Sequence, residues 1–225
     1  MLSGEHLRLL LEGALVTLQV TALAVAWGTV AAILLGIASL SRLRFVRALV
    51  RVYVEVLRGV SAIILIIWIY YALPLFGVEL SAMQAGVLAL GLNLSAYGTE
   101  IVRGAIQAIP QGQTEAAIAI NLSGAQRTWS VILPQAMVAM LPPYGNLLIE
   151  VMKASALVSL ISLSDLLREA QNLRQLRVAD SVVIFGTTLV LYFVIGLAIT
   201  GVVRLLERRF GRGMDVPVAG LGAAK

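Results

Sequence analysis

The sequence has no cysteine and little charge. Charged residues make up 13% of its 225 residues and hydrophobic residues 60%, whereas soluble globular proteins carry about 25% charged residues. So few charges cannot cover a surface exposed to water, and we expect most of the outer surface to face lipid. The lack of cysteine excludes disulfides, iron–sulfur clusters and cysteine zinc sites. The single histidine, His6, cannot form a metal site alone, and we predict no cofactor.

The residue sets that carry enzyme chemistry are also missing. The apolar runs contain no Ser/His pair, His–Glu cluster or paired aspartates. The chain has no G-x-x-x-x-G-K-[ST] phosphate loop, so ATP hydrolysis would have to come from a partner. The net charge of +5 does not indicate nucleic-acid binding, because the basic residues cluster beside the ends of apolar runs. We therefore predict neither an enzyme nor a nucleic-acid-binding protein.

Long uncharged runs predict an all-α integral membrane protein with about five transmembrane helices. A bilayer core of about 30 Å needs about 20 apolar helical residues. The predicted spans are Gly13–Ser41, Gly59–Val78, Leu80–Thr99, Pro143–Leu163 and Ser181–Val203. Because prolines interrupt the fourth run, Thr128–Leu141 is predicted to be a cytoplasmic or interfacial approach. A cleaved signal peptide is the alternative for the first run, which is longer than the usual apolar core of about 7–15 residues.

Arginines predict the orientation of these spans, because cytoplasmic loops are enriched in Lys and Arg. They follow the first and fifth spans: Arg42, Arg44, Arg47, Arg51, Arg58, Arg204, Arg208, Arg209 and Arg212. An odd number of spans puts these two segments on one side. We predict an inner-membrane protein with its N-terminus outside and its C-terminus in the cytoplasm. We expect residues 1–225 to form a single transmembrane domain, in which about 211–225 are a flexible tail.

The loop Pro110–Pro134 then lies in the cytoplasm and is predicted to contain a short helix. Pro110 and Gly112 break the preceding helix. Thr114 is predicted to cap a new helix of about two turns, with Glu115 in its first turn near the positive end of the helix dipole. Such a helix can contact another protein closely, and an ordinary interfacial helix is the alternative.

The end of this helix is predicted from residues that stop helices. Asn121, Ser123 and Gly124 follow the alanine-rich stretch, and Asn and Gly tolerate the left-handed conformation that ends a helix. A second helix is predicted from about Gln126 towards Leu133.

The loop resembles the EAA loop of bacterial ABC importer permeases, E-A-A-x3-G-x9-I-x-L-P. The spacing is kept from Glu115 through Leu133 and Pro134, and Asn121 stands where the family has glycine. In the family this loop forms a coupling helix that sits in a groove of the cytoplasmic ATPase. The resemblance assigns ATPase coupling to Glu115, Ala116, Ala117, Asn121, Ser123, Gly124 and Arg127.

The segments Leu92–Ala117 and Leu141–Leu166 resemble the permeases for histidine, glutamine, arginine and related solutes. Ala154 and Leu57–Ser61 depart from the common pattern of these permeases and are most similar to the ectoine/hydroxyectoine subgroup. The resemblance implies a type I ABC importer permease fold. It also implies two ATP-binding subunits, a second permease subunit, identical or homologous, and an extracytoplasmic solute-binding protein. A secondary transporter of small polar solutes is the alternative.

Polar residues inside the spans are candidates for the solute pathway, because such residues usually face a cavity or a partner. Glu150 and Lys153, three residues apart, can form a neutral pair that meets a zwitterionic, ectoine-like compatible solute or a polar amino acid. The pathway candidates are Asn93, Tyr97, Glu150, Lys153 and Ser155. The alternative for each is an interhelical contact.

The pattern E-x-x-R-G occurs twice, in Val54–Gly59 and Thr99–Gly104. In each copy the Glu and Arg lie on one helix face. A local ion pair near the membrane interface is the favoured interpretation, and a functional role is the alternative.

Overall fold

The computed structural model describes residues 4–210, and within this range the protein is α-helical with no β-strand. The predicted flexible tail at about 211–225 lies outside the described residues. The α-helices are α1 (Gly4–Ala38), α2 (Arg44–Gly59), α3 (Ala62–Ile67), α4 (Ala82–Gln107), α5 (Gln111–Ala119), α6 (Gly124–Arg127), α7 (Leu133–Ala154), α8 (Leu166–Leu176) and α9 (Ser181–Phe210).

Four helical segments between residues 4 and 210 are long and apolar enough to cross a membrane. They are Gly4–Ala38, Ala82–Gln107, Gly124–Ile161 and Val178–Phe210. A fifth span is present if α2 and Ala62–Phe76 count as one broken span, which bends by 99°. The predicted second span, Gly59–Val78, thus corresponds to the segment after the bend. This segment continues α3 through a π-helical turn and a short 3-10 helix.

Helices α1 and α4 form the centre of the bundle and run in the same direction. Gly28 lies against Gly91, and further along both helices Gly36 lies against Val102. The ring of Trp27 covers Gly91, where an added Cβ would lie 2.2 Å from Trp27 Cε2. The indole N–H of Trp27 donates to the Val87 carbonyl at 3.2 Å. Small residues allow this close approach, as is usual between membrane helices.

Helix α7 runs antiparallel to α4, and α9 runs antiparallel to α7. Tyr144 lies beside Gly98, whereas Val158, later in the chain, lies beside Gly86. Gly145 likewise meets Val203. The C-terminal ends of α1, α4 and α9 therefore lie at one end of the bundle. The turn after α1, the loop 108–132 and the arginines at the end of α9 share this end, which we call the loop end.

The fourth span differs from its prediction. Helix α7 begins at Leu133, follows a π-helical turn over Thr128–Ile132, and contains Pro142 and Pro143 within the helix. The helix therefore begins before the predicted start of the span at Pro143, and the cytoplasmic or interfacial position of Thr128–Leu141 stays a prediction. Proline breaks helices in water, but neighbouring helices and local adjustments let membrane helices tolerate it.

At the opposite end of the bundle, the segment after α7 is held by a buried carboxylate. Asp165 is fully buried and caps α8, accepting from the Arg168 N–H at 3.0 Å. The hydroxyl of Tyr192 in α9 donates to Asp165 Oδ2 at 3.4 Å. Burial raises the pKa of Asp165 to about 6, against the opposing effect of these donors. The adjacent Leu166 N–H donates to Thr17 Oγ1 at 3.2 Å, which ties α8 to α1.

Candidate functional site

The loop between α4 and α7 contains the short helix α5, which begins earlier than predicted. Pro110 is the N-cap residue, with φ of −55°, and no side chain caps the helix. The predicted cap at Thr114 is therefore wrong, since Gln111 to Gln113 already form the first turn. Glu115 consequently lies in the second turn, where the helix dipole acts on it less strongly.

The end of α5 agrees with the prediction at Asn121 and differs after it. Asn121 has φ of 58°, and its N–H donates to the Ile118 carbonyl at 2.9 Å. The Leu122 N–H donates to the Ala117 carbonyl at 3.0 Å. This pair of bonds is a Schellman motif, which satisfies the last carbonyls of a helix.

Ser123 and Gly124 do not help to end α5. Ser123 is the N-cap of α6 and exchanges hydrogen bonds with Gln126, and Gly124 is the first residue of α6. The second helix therefore starts at Gly124, two residues before the predicted start at about Gln126.

The outer surface of α5 is exposed and partly apolar. Ala117 is buried against the loop, whereas Glu115, Ala116 and Ala119 are exposed. Ile118 is 54% exposed and Ile120 71% exposed, although both lie outside the spans. Glu115 forms no ion pair with any residue in the range 4–210. The helix therefore offers apolar side chains and an unpaired carboxylate to another surface.

The loop is anchored to the bundle on its inner side. Ala105 and Ile109 pack with Ile132 and Ala136 in a small buried cluster. On the polar side, Gln135 Nε2 donates to Gln113 Oε1 at 3.2 Å. Arg127 is half-buried at the end of α6. Of these contacts, the hydrogen bond between Gln113 and Gln135 joins α5 itself to α7.

A partly polar cleft of about 430 Å³ opens beside the middle of α4, and we call it the mid-span cleft. It lies between the end of α2, the bend before α3, α4 and α7. Its lining includes three predicted pathway residues, Asn93, Tyr97 and Glu150. The remaining lining residues are Arg58, Gly59, Val60, Ser61, Ala62, Leu147, Val151 and Ala154.

Charge of both signs faces the mid-span cleft. Glu150 is exposed on α7 and makes no ion pair among the described residues. The guanidinium carbon of Arg58 lies 5.1 Å from the centroid of the Tyr97 ring, within the range of a cation–π interaction. The Tyr97 hydroxyl donates to the Arg58 carbonyl at 3.5 Å. The cleft thus combines a carboxylate, a guanidinium and neutral polar groups.

Two other predicted pathway residues lie elsewhere, and Glu150 and Lys153 form no ion pair among the described residues. The part of Lys153 and Ser155 in the solute pathway stays a prediction. Lys153 lines a separate, mostly apolar cavity of about 450 Å³ between α7 and α9. Ser155 is fully buried, and its hydroxyl donates to the Met152 carbonyl at 2.6 Å. Residues three apart on a helix differ by about 60° in direction, which is enough here for Glu150 and Lys153 to face different neighbours.

A second polar cleft, of about 530 Å³, was not predicted from the sequence. It opens between α2 and α4 at the loop end, and we call it the loop-end cleft. Its lining residues are Ser39, Leu40, Arg47, Val50, Arg51, Val54, Glu55, Arg58, Glu100, Arg103 and Gln107.

The repeated E-x-x-R-G pattern was the signal for this cleft, since Glu and Arg of both copies line it. The predicted ion pair forms in the second copy, where Arg103 Nη2 lies 2.5 Å from Glu100 Oε2. In the first copy, Glu55 and Arg58 form no ion pair among the described residues, and Arg58 contacts Tyr97 instead.

Solved structures with this arrangement of helices are ABC importer permeases. The chain superimposes on the structure titled "Crystal structure of an amino acid ABC transporter with histidines" with a TM-score of 0.83 and 34% identity, covering 91% of this chain and 95% of that one. The fold of the MetNI methionine ABC transporter, at 22% identity, also matches, with a TM-score of 0.77 over 93% of this chain and 99% of that one. The protein therefore has the type I ABC importer permease fold, as predicted.

The family is equally clear from sequence. A model of the "Binding-protein-dependent transport system inner membrane component" matches residues 28–212. The protein belongs to this family and is a membrane-spanning permease subunit of an ABC importer. Members of the family act with solute-binding proteins and separate ATP-binding subunits, which confirms the predicted importer permease in the inner membrane. No comparison supports the secondary-transporter alternative.

Individual relatives carry names that refer to amino acids. The chain is 43% identical to the "Probable amino-acid ABC transporter permease protein y4tF" of Sinorhizobium fredii, over 90% of this chain and 87% of that protein. It is 35% identical to the "Glutamine transport system permease protein GlnP" of Escherichia coli, over 89% of this chain and 92% of that protein. It is 32% identical to the "L-cystine transport system permease protein TcyB" of Bacillus subtilis, over 87% of this chain and 84% of that protein.

Proposed function

We propose that this permease imports a small zwitterionic amino acid through the mid-span cleft. The observation that carries the proposal is the presence of Arg58 and Glu150 in one cleft at mid-span, together with Asn93 and Tyr97. A zwitterion can place its carboxylate near Arg58 and its ammonium near Glu150, so both of its charges are met inside the membrane. An unmatched buried charge would be costly.

The dimensions and the polar groups of the cleft suit a solute of this size. A volume of about 430 Å³ lies in the range of small-molecule sites and exceeds what one amino acid needs. Asn93 supplies both donor and acceptor groups, and Tyr97 supplies an aromatic face and a hydroxyl. Lys153 and Ser155, which line no part of this cleft, are not needed for the proposal.

The names of the relatives favour amino acids as the solute class, since they mention amino acids, glutamine and cystine. An ectoine-like compatible solute remains the second candidate. It is also compact and zwitterionic, so the same pair of charges could accept it. A competition experiment separates the two.

We infer that the loop end faces the cytoplasm. The turn after α1, the start of α2 and the end of α9 meet there, and all three carry arginines, which are retained on the cytoplasmic side of membranes. The N-terminus and α8 are then outside, where the solute-binding protein delivers the solute. The same orientation puts α5 where a cytoplasmic ATPase can reach it.

Coupling to ATP hydrolysis is assigned to α5. Its exposed Ile118 and Ile120 give an apolar surface that a groove on the ATPase can cover, and Glu115 adds a charge at the rim. The anchored inner side transmits a push on α5 to α4 and α7. A second permease subunit and two ATP-binding subunits complete the proposed transporter.

The test is uptake by the reconstituted transporter in proteoliposomes, with its ATPase and its binding protein. Radiolabelled L-glutamine and L-cystine are the probes, and unlabelled ectoine is a competitor. Glu150→Gln should lower the uptake efficiency about 10- to 150-fold, the effect of losing a charge-assisted hydrogen bond of about 1.5–3 kcal/mol. Lys153→Gln is the matched control, because Lys153 lies on the same helix but lines a different cavity.

Normal uptake by Glu150→Gln would contradict the assignment of the cleft. No uptake of either amino acid, together with uptake of radiolabelled ectoine by the same proteoliposomes, would favour the second candidate solute. Equal losses in Glu150→Gln and Lys153→Gln would point to a general effect on α7 and would also argue against the cleft.

A further inference from the structure

The mid-span cleft and the loop-end cleft have one lining residue in common, Arg58. Both clefts lie against α2 and α4, and both are lined by polar groups. The first contains the proposed solute contacts Asn93 and Glu150. The second opens beyond it at the loop end, beside Ser39 and Gln107. A solute that leaves the mid-span cleft towards the loop end along this surface must therefore pass Arg58.

The side chain of Arg58 is held at this point by Tyr97. The guanidinium carbon lies 5.1 Å from the centroid of the Tyr97 ring, and the Tyr97 hydroxyl donates to the Arg58 carbonyl at 3.5 Å. One partner is on α2 and the other on α4, so the contact joins the two helices that border both clefts. We propose that the Arg58–Tyr97 contact is a gate between the mid-span cleft and the loop-end cleft. The proposal rests on the proposed function.

The position of Arg58 in the chain suits a part that moves. Arg58 is in the last turn of α2, and the non-helical residues Val60 and Ser61 follow directly. There the chain bends by 99° into the next helical segment. Val60 and Ser61 also line the mid-span cleft, so a solute in this cleft touches the bend itself. A small rotation at the bend moves Arg58 relative to Tyr97.

Away from the bend, α2 is attached to α4 more firmly. The Tyr53 hydroxyl and Ser95 Oγ are 2.6 Å apart, and Val50 and Val54 of α2 are buried. These contacts can act as a pivot while the end of α2 moves. The Arg58–Tyr97 contact is weak enough to break in each cycle, and a solute carboxylate is a competing partner for the guanidinium.

The chain has no cysteine, so a single introduced cysteine can be labelled without background. Asn93→Cys reports on the mid-span cleft, one helical turn from Tyr97 on the far side of the gate. Ser39→Cys reports on the loop-end cleft. The transporter complex in inside-out membrane vesicles is treated with the membrane-impermeant anionic reagent 2-sulfonatoethyl methanethiosulfonate, and the labelling rate of each cysteine is measured.

The reagent is applied without solute and without ATP, in the parent and in three Tyr variants. Tyr97→Leu removes the ring, and Tyr97→Phe keeps it. Tyr71→Leu is the matched control, since Tyr71 is 56% exposed and lines neither cleft. With Tyr97→Leu we expect the labelling of Asn93→Cys to rise about 5- to 30-fold, which corresponds to about 1–2 kcal/mol. With Tyr97→Phe or Tyr71→Leu it should stay at the parent rate.

The gate is refuted if Tyr97→Leu leaves the labelling of Asn93→Cys unchanged, or if Tyr97→Phe raises it as much as Tyr97→Leu does. An equal rise at Ser39→Cys would indicate a general loosening of the bundle and would also overturn the proposal. Because labelling needs no solute, a correct gate result combined with no uptake of L-glutamine or L-cystine would reject the proposed solute and leave the gate intact.

Discussion

The left-handed turn at Asn121 should control the stability of α5. With φ of 58°, this residue occupies a region that costs most non-glycine residues about 1–2 kcal/mol, whereas Asn and Gly tolerate it. The Schellman bonds from the Asn121 and Leu122 N–H groups depend on this conformation. We predict that Asn121→Ala destabilises the closed turn by about 1 kcal/mol, and that the β-branched Asn121→Val does so by about 2 kcal/mol.

Hydrogen exchange of the permease, read by mass spectrometry on peptides from this loop, measures the effect directly. The frequency of opening rises exponentially with the lost free energy, so exchange of the Leu122 amide should accelerate about 5-fold in Asn121→Ala and about 30-fold in Asn121→Val. Asn121→Gly should be as protected as the parent.

Gly112 provides a control of opposite sign in the same helix. An added Cβ at Gly112 meets no atom within 4 Å, and its φ is not left-handed. Gly112→Ala should therefore slow exchange about two- to fivefold, the gain of about 0.5–1 kcal/mol expected for Ala over Gly in a helix. Parent-like exchange in both Asn121→Ala and Asn121→Val would refute the reasoning about the turn.

Three further predictions concern the coupling surface, the orientation and a buried carboxylate. Glu115→Lys should leave the permease in the membrane but reduce copurification of the ATPase; unchanged copurification and transport would contradict the assignment of α5 to coupling. A reporter fused after Arg209 should read as cytoplasmic and one inserted near Glu79 as extracytoplasmic; the opposite result at both sites would reverse the orientation. Because the pKa of Asp165 is raised to about 6 by burial, its ionisation opposes folding above that pH, and stability should increase as pH falls from about 6 to 4. Asp165→Asn, which keeps a capping side chain, should remove this dependence in thermal unfolding of the purified protein, and an unchanged pH profile would contradict it.

The helical fold could be predicted from composition and local sequence because the causes are local. Uncharged runs define the long helices, and the residue type at position 121 favours the turn that ends α5. The wrongly predicted helix boundaries also have a local cause, which is the effect of proline. Pro142 and Pro143 would break a helix in water but lie within α7, and Pro110, not Thr114, is the N-cap of α5.

The clefts could not be predicted in the same way, because long-range packing decides which face of a helix borders a cavity. Glu150 and Lys153 are close in sequence, and the packing of α9 on one side of α7 and of α4 on the other separates them. Arg58 and Tyr97 are far apart in sequence, and the bend after α2 brings them together. The 99° bend itself had only a weak signal, since Gly59, Val60 and Ser61 do not form a turn signature.

The arginines in and before α2 fall into two groups, which a count of arginines along the sequence does not separate. One group predicts the orientation of the chain, and the other lines a cleft. Arg42 and Arg44 line neither cleft and lie in the short connection from α1 and at the start of α2, where their charge predicts a cytoplasmic position for this end. Arg47, Arg51 and Arg58 face the loop-end cleft instead, on the side of α2 opposite its exposed apolar residues. An amphipathic helix beside a cleft keeps these charges in water while its apolar face remains in lipid, which removes most of their desolvation cost. The arginines that predict the orientation of the chain thus continue along α2 into those that line the proposed exit route, and Arg58 is the one that also lines the mid-span cleft.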